Sequence, residues 1–179
     1  MQPSETIARF DRFLAERGVR FGAIIAGGTA LVLLGVVSRA TRDCDVLEPP
    51  LPDEIAAAAR AFAAQVRAAG EPLADDWLNN GPSSLVDVLP PDWRAHTVVA
   101  FDGHALTLRA LGRLDLLRSK LFALCDRGLD LGDCLALRPS AEELAQVAPW
   151  VEAQDAHPGW PAHVHAALAD LARRLGYGV

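Results

Sequence analysis

A chain of 179 residues, 51% hydrophobic and carrying a net charge of −6, is long enough for one domain with a full core and a small helical appendage. The acidic balance excludes tight nonspecific binding to nucleic acid, because a protein whose affinity came from neutralising many phosphates would be basic. The longest apolar run, Ala23 to Val37, is 15 residues interrupted by glycines, short of the roughly 20 that a membrane span needs.

In chain order, Ile7, Phe10, Phe13 and Leu14 lie at helical spacing between Ser4, an expected N-cap, and Gly18, an expected stop. Phe21 to Ala26 reads as a strand and Thr29 to Leu34 as a short buried helix ended by Gly35. A second strand is expected from near Asp43 to Glu48, broken by Pro49, Pro50 and Pro52, and the alanine-rich stretch Asp53 to Ala69 is a strong helix closed by Gly70. Strand, helix, strand, helix is an α/β signature. Past Trp77 and the loop Asn79-Asn80-Gly81-Pro82, the alternating run Leu85-Val86-Asp87-Val88-Leu89 predicts a further strand. Thr97 to Phe101 and Ala105 to Arg109 flank Asp102-Gly103 and predict a β-hairpin.

The remainder reads as helical. Leu114, Leu117, Leu121 and Leu124 share one face of a helix from Leu111 to Arg127, Asp130 is placed to cap the next helix, Ser140 and Glu143 form a capping box, and a last helix runs from about Pro161 to Leu175. Cys44, Cys125 and Cys134 have neither an even number nor C-x-x-C spacing, which points to buried reduced thiols rather than disulfides or zinc. His163 and His165 are two apart on a helix and do not face each other, so they do not chelate. Trp77, Trp93, Trp150 and Trp160 read as core or interface anchors. The first residues lack the basic-then-apolar pattern of a secretory signal, and the expected location is cytoplasmic.

The chemistry concentrates in Gly27-Gly28-Thr29-Ala30-Leu31 and Thr41-Arg42-Asp43-Cys44-Asp45-Val46-Leu47. A glycine pair at a strand-to-helix turn exposes backbone amides that cradle an anion. Alternation along a strand puts Asp43 and Asp45 on one face, a spacing at which two carboxylates hold hard cations.

These residues, with Arg39 two positions before Thr41, resemble the polymerase-β-type nucleotidyltransferase superfamily, most closely its small bacterial branch of AbiEii/MenT-like toxins and related uncharacterised nucleotidyltransferase-like domains. The resemblance implies that Gly27 and Gly28 contact the triphosphate of a bound NTP and that Asp43 and Asp45 bind Mg²⁺, two ions with the nucleotide. Gly28 stands where many members carry serine, so Thr29 would supply the hydroxyl, and Arg42 or Arg127 would assist. Lys120-Leu121-Phe122-Ala123 ending at Arg127, then Asp130-Leu131-Gly132-Asp133, resembles a later signature of the same branch. It implies that Lys120 neutralises the triphosphate and that Asp133 is a supporting acid or base. Asp87, a charge between two apolar strand positions, is the candidate third metal carboxylate.

The expected fold is α/β (α+β): a short mixed twisted sheet with flanking helices over residues 1–137, then a C-terminal helical segment, 138–179, packed on it. The expected function is Mg²⁺-dependent transfer of a nucleotide from an NTP to an acceptor hydroxyl on tRNA or protein. A toxin-like role with an antitoxin partner goes with it, and no membrane. The alternative is a catalytically degenerate domain that binds a nucleotide or a protein; a metal-dependent phosphohydrolase ranks last because it wants further His or Asp ligands.

Overall fold

The structure, a computed structural model, describes residues 2–177. They fall into two compact units that meet in sequence between Gly112 and Arg113. Residues 113–137, expected within the first domain, therefore fall in the second unit.

The first unit opens with α1 (Pro3–Ala15), whose buried stripe is Ile7, Phe10, Phe13 and Leu14. Its start differs from expectation. Pro3 occupies the first turn and Gln2 the N-cap, so Ser4 lies inside the helix; proline begins a helix well because its φ is preset and the N–H it lacks has no partner there. Then come β1 (Phe21–Ala26), α2 (Gly27–Leu33), β2 (Cys44–Glu48), α3 (Asp53–Ala68), the two-residue β3 (Leu78–Asn79), two 3-10 turns (Ser83–Asp87 and Trp93–His96), β4 (Val98–Asp102) and β5 (Leu106–Ala110). The strand expected across Leu85 to Leu89 is a 3-10 turn. Pro82 precedes it and Pro90-Pro91 follows, and the bonds close locally, with Leu85 N–H donating to Pro82 O and Val88 N–H to Leu85 O. Five alternating residues boxed by prolines have no room to reach a partner strand.

The five strands form one mixed sheet in the order β3-β2-β1-β5-β4. β1 runs antiparallel to β2 and parallel to β5, β2 parallel to β3, and the expected hairpin β4–β5 antiparallel. Alternation sorts the two faces. Phe21, Ala23 and Ile25 pair with Leu106, Leu108 and Ala110 on the covered face, all buried, while Gly22 and Ile24 pair with Thr107 and Arg109 on the other, all partly or fully exposed. Beneath the covered face Phe10, Phe13, Phe62 and Trp77 pack ring against ring, and the Trp77 indole N–H donates to Ala59 O at 3.1 Å.

One buried charge ties this layer to the hairpin. Asp11, on the inner face of α1, accepts the backbone N–H groups of Ala105 (2.8 Å), Leu106 (2.9 Å) and His104 (3.2 Å). Burial pushes its carboxyl upward, and the three donors outweigh that, so the net displacement is below the usual 3.8.

The second unit comprises α4 (Arg113–Arg127), α5 (Leu131–Leu137), α6 (Ala141–Glu152) and α7 (Trp160–Arg174). The expected capping box holds: the Glu143 N–H donates to Ser140 Oγ at 3.1 Å and the Ser140 N–H to Glu143 Oε2 at 2.9 Å. Phe122 packs edge-on against Trp150 and Trp160. His163 and His165 go to different partners, the Cys125 carbonyl and Glu152.

Replacing Asp11 by alanine strands three backbone donors, and we expect a loss of roughly 3 kcal/mol in urea unfolding at pH 7. A carboxyl whose folded pKa is depressed stabilises above its unfolded pKa and ceases to as pH falls through the folded one. The gap between wild type and Asp11→Ala should therefore hold at pH 5 and narrow below about pH 4. A gap that does not change with pH would show that the charge is not what binds the hairpin.

Candidate active site

The site grows from the end of β1. Ala26 pairs with Asp45 across the antiparallel ladder, and the next residue, Gly27, takes φ +71. A Cβ at Gly27 would overlap Asp45 Oδ2. Only glycine both adopts the left-handed turn and lets the carboxylate lie against the backbone. Gly28 is nearly as closely approached: a Cβ there would sit 3.0 Å from Thr41 Cγ2 and 3.3 Å from an Arg39 guanidinium nitrogen. Of the two arginines near Thr41, it is thus Arg39 that approaches the glycine turn, and both are exposed.

Thr29, expected to offer a hydroxyl to the nucleotide, is 1% exposed. Its Oγ1 donates to the Asp43 carbonyl at 2.6 Å and lies 3.1 Å from Thr41 Oγ1, which is 3.3 Å from that same carbonyl. The hydroxyl is committed to holding the carboxylate segment against the first turn of α2.

Asp43 precedes β2 and Asp45 is its second residue; both are half-buried on either side of Cys44, which is fully buried. Alternation therefore holds, and the two carboxylates share the face opposite the core. The Cys44 N–H donates to Trp77 O at 2.5 Å. Burial first, then the charges of Asp45 and Asp43, push the Cys44 thiol far up. Burial likewise raises Cys125 to about 11 and, with nearby acids adding, Cys134 to about 12, so the three free thiols stay protonated.

β2 carries an irregularity. Ile25 pairs with Val46 but Ile24 with Glu48, so Leu47 is the extra residue of a bulge. Without it Asp45 and Glu48 would point to opposite faces; with it both lie on the open one.

On the other side of β2, β3 sets Asn79 in register with Asp45. Asn79 Oδ1 accepts the Gly81 N–H at 2.6 Å, and a Cβ on Gly81 would lie 4.0 Å from Asp45 Oδ1. Asn79 is the polar neighbour that sequence reading missed. Its only signal is its place after the apolar pair Trp77-Leu78, and the Asn-Asn-Gly-Pro string reads as a loop.

Asp87 ends the 3-10 turn and is exposed. The strand geometry that made it a third carboxylate is absent. Among the described residues no three His, Cys, Asp or Glu side chains gather into a metal-sized group, so Asp87 does not complete a triad with Asp43 and Asp45. The two that remain are hard oxygen donors, suited to Mg²⁺, which is commonly held by one or two carboxylates plus substrate phosphates and water.

In the second unit Lys120 is 7% exposed at the side chain, with its Nζ 2.8 Å from Asp133 Oδ2 and 3.0 Å from Asp130 Oδ2. Asp133 is 5% exposed. Asp130 occupies the N-cap of α5 with φ +66 but makes no capping bond, because its carboxylate is turned to the lysine. Arg127 closes α4 and is exposed.

A sequence model of the family described as "Nucleotidyltransferase of unknown function (DUF6036)" matches residues 6–135, and the chain belongs to that family. No curated protein and no solved structure matches it.

Two substitutions probe these arrangements. Gly27→Ala should cost about 1–3 kcal/mol from the positive φ alone, with the overlap at Asp45 added, and chemical denaturation reads it; an unchanged midpoint would mean that the turn does not depend on the absent side chain. Lys120→Met strands one buried and one half-buried carboxylate and should cost about 3–5 kcal/mol. Adding Asp130→Asn and Asp133→Asn should recover part of that loss, and no recovery would remove the ion-paired cluster as its cause.

Proposed function

We propose, from membership of this nucleotidyltransferase family and from the glycine turn locked against two carboxylates, that the chain transfers a nucleotidyl group from an NTP to a hydroxyl in a Mg²⁺-dependent reaction. The observation that carries the reading is the contact of Gly27 with Asp45, which places an anion-attracting turn and a carboxylate pair side by side. The chemistry Mg²⁺ would supply when bound is to offset charge developing on the leaving pyrophosphate.

The chain's own part follows from its geometry. Asp43 and Asp45 would hold the metal. The backbone amides at Gly27 and Gly28 would meet the triphosphate, with the Arg39 guanidinium close to Gly28. Thr29 and Thr41 act at one remove by fixing Asp43. In the transfer the acceptor oxygen would bond to the α-phosphorus as the bond to pyrophosphate breaks, and the hydroxyl proton would pass to solvent water. Lys120 and Asp133 are the second unit's candidates for a supporting role, and the acceptor we favour is an RNA end, such as that of tRNA.

A second reading, a domain that binds a nucleotide or a protein partner without turnover, is favoured by the two-carboxylate donor set. Incubating the full chain with each α-labelled NTP, Mg²⁺ and total RNA separates the two. Label should pass to RNA, need Mg²⁺, and fall at least about a hundredfold in Asp43→Ala/Asp45→Ala. Transfer persisting in that variant would overturn the site, and no transfer to any acceptor would favour binding alone.

A further inference from the structure

The open face of the sheet holds a groove of about 490 Å³ that the assigned residues leave unused. Its floor is Gly22 and Ile24, one wall is Pro49 and Pro50, and the other is Arg109. Ile24 pairs with Arg109 on one side and Glu48 on the other, and two residues along β1 on this same face Ala26 pairs with Asp45. At about 3.3 Å per residue, the groove begins roughly 7 Å from the carboxylate row. We propose that it seats the nucleotide unit of an acceptor RNA strand next to the reacting hydroxyl. This rests on Asp43 and Asp45 being the reaction centre.

Shape and charge both select that occupant. Gly22 leaves the floor open, and Ile24 with the two proline rings presents apolar surface to the flat face of a base. Arg109 donates to Thr97 Oγ1 at 2.8 Å and to the Thr97 carbonyl, both neutral groups, so among the described residues no carboxylate offsets its charge. The neighbouring acid, Glu48, has both oxygens engaged by Arg94, at 2.8 and 2.7 Å. Arg109 is therefore a cation without an ion pair at one end of the groove, enough for one phosphodiester, while at the other end the lining Thr107 Oγ1 donates to Asp102 Oδ1 at 3.3 Å. One such cation suits a chain of net charge −6, which reads one nucleotide instead of gripping a long backbone.

Gly22 also supplies the test. A Cβ there meets only Thr107 O, at 3.9 Å, so a larger side chain fills the groove without disturbing the strand. Binding of a fluorescein-labelled hexaribonucleotide to the full chain would be followed by anisotropy without NTP or Mg²⁺, with thermal melting as the control for folding. Gly22→Phe should weaken binding by roughly tenfold or more. The log–log salt slope should be about −0.7, as for one phosphate on a single strand, and fall toward zero in Arg109→Gln. Equal binding by wild type and a folded Gly22→Phe, or no binding by wild type, would overturn the groove. Asp43→Ala/Asp45→Ala should still bind the hexamer. If it does while wild type transfers no label, the reaction-centre reading fails and the groove stands as a strand-binding site.

Discussion

The contact of Gly27 with Asp45 is the constraint on which the first unit's candidate site depends. β1 must turn into α2 within one residue, and β2 must bring a carboxylate to the spot where that turn occurs. Both are met only if the turning residue has no side chain and tolerates positive φ. The Thr29 hydroxyl then fixes the carbonyl of Asp43, so the carboxylate segment is held to the start of α2 by a side chain and by a close backbone approach. The carboxylate of Asp45 thus lies against the turn at Gly27, with the Arg39 guanidinium beside Gly28.

What could be read from the sequence divides along local and non-local causes. The helical stripe of α1, the bounds of β1, the hairpin around Asp102-Gly103 and the capping box at Ser140 each depend on a few adjacent residues, and each is where periodicity and turn chemistry place it. The juxtaposition of Gly27 with Asp45 was legible because a glycine turn and a carboxylate pair at the ends of successive strands have few ways to meet. Asn79 was not, because its position beside Asp45 comes from the pairing of β3 with β2 across more than thirty residues. The alternation around Asp87 was misleading: a period of two measures exposure, and a proline-bracketed 3-10 turn can produce it without a ladder. Thr29 and Arg39 illustrate a finer limit. Which hydroxyl turns inward, and which of two arginines approaches the turn, depends on side-chain packing that spacing does not encode.

Lys120 shows why a motif residue and a free charge are different things. On an amphipathic helix a lysine is ordinarily solvated, yet this one is buried between two acids. A charge so placed has its field spent on its partners, and removing one partner leaves the rest uncompensated. Any part it takes in phosphate chemistry would have to compete with Asp130 and Asp133. Its loss is accordingly a stability effect first, and an activity change on mutation identifies chemistry only once folding has been controlled.

The bulge at Leu47 joins the two halves of the open face. In a regular strand Asp45 and Glu48 would lie on opposite sides; the extra residue brings both to the open one, and Pro49 and Pro50 follow Glu48 to the groove wall. Glu48 then gives both its oxygens to Arg94, while Arg109 across the floor is bound to Thr97, which carries no charge. One pair is closed and one cation is left open. An acidic chain gains selectivity from that economy: with a single unpaired cation beside an apolar floor, and the Asp102 carboxylate at Thr107, phosphate backbone alone would be held weakly, and a ligand that also offers a flat apolar face would be held better.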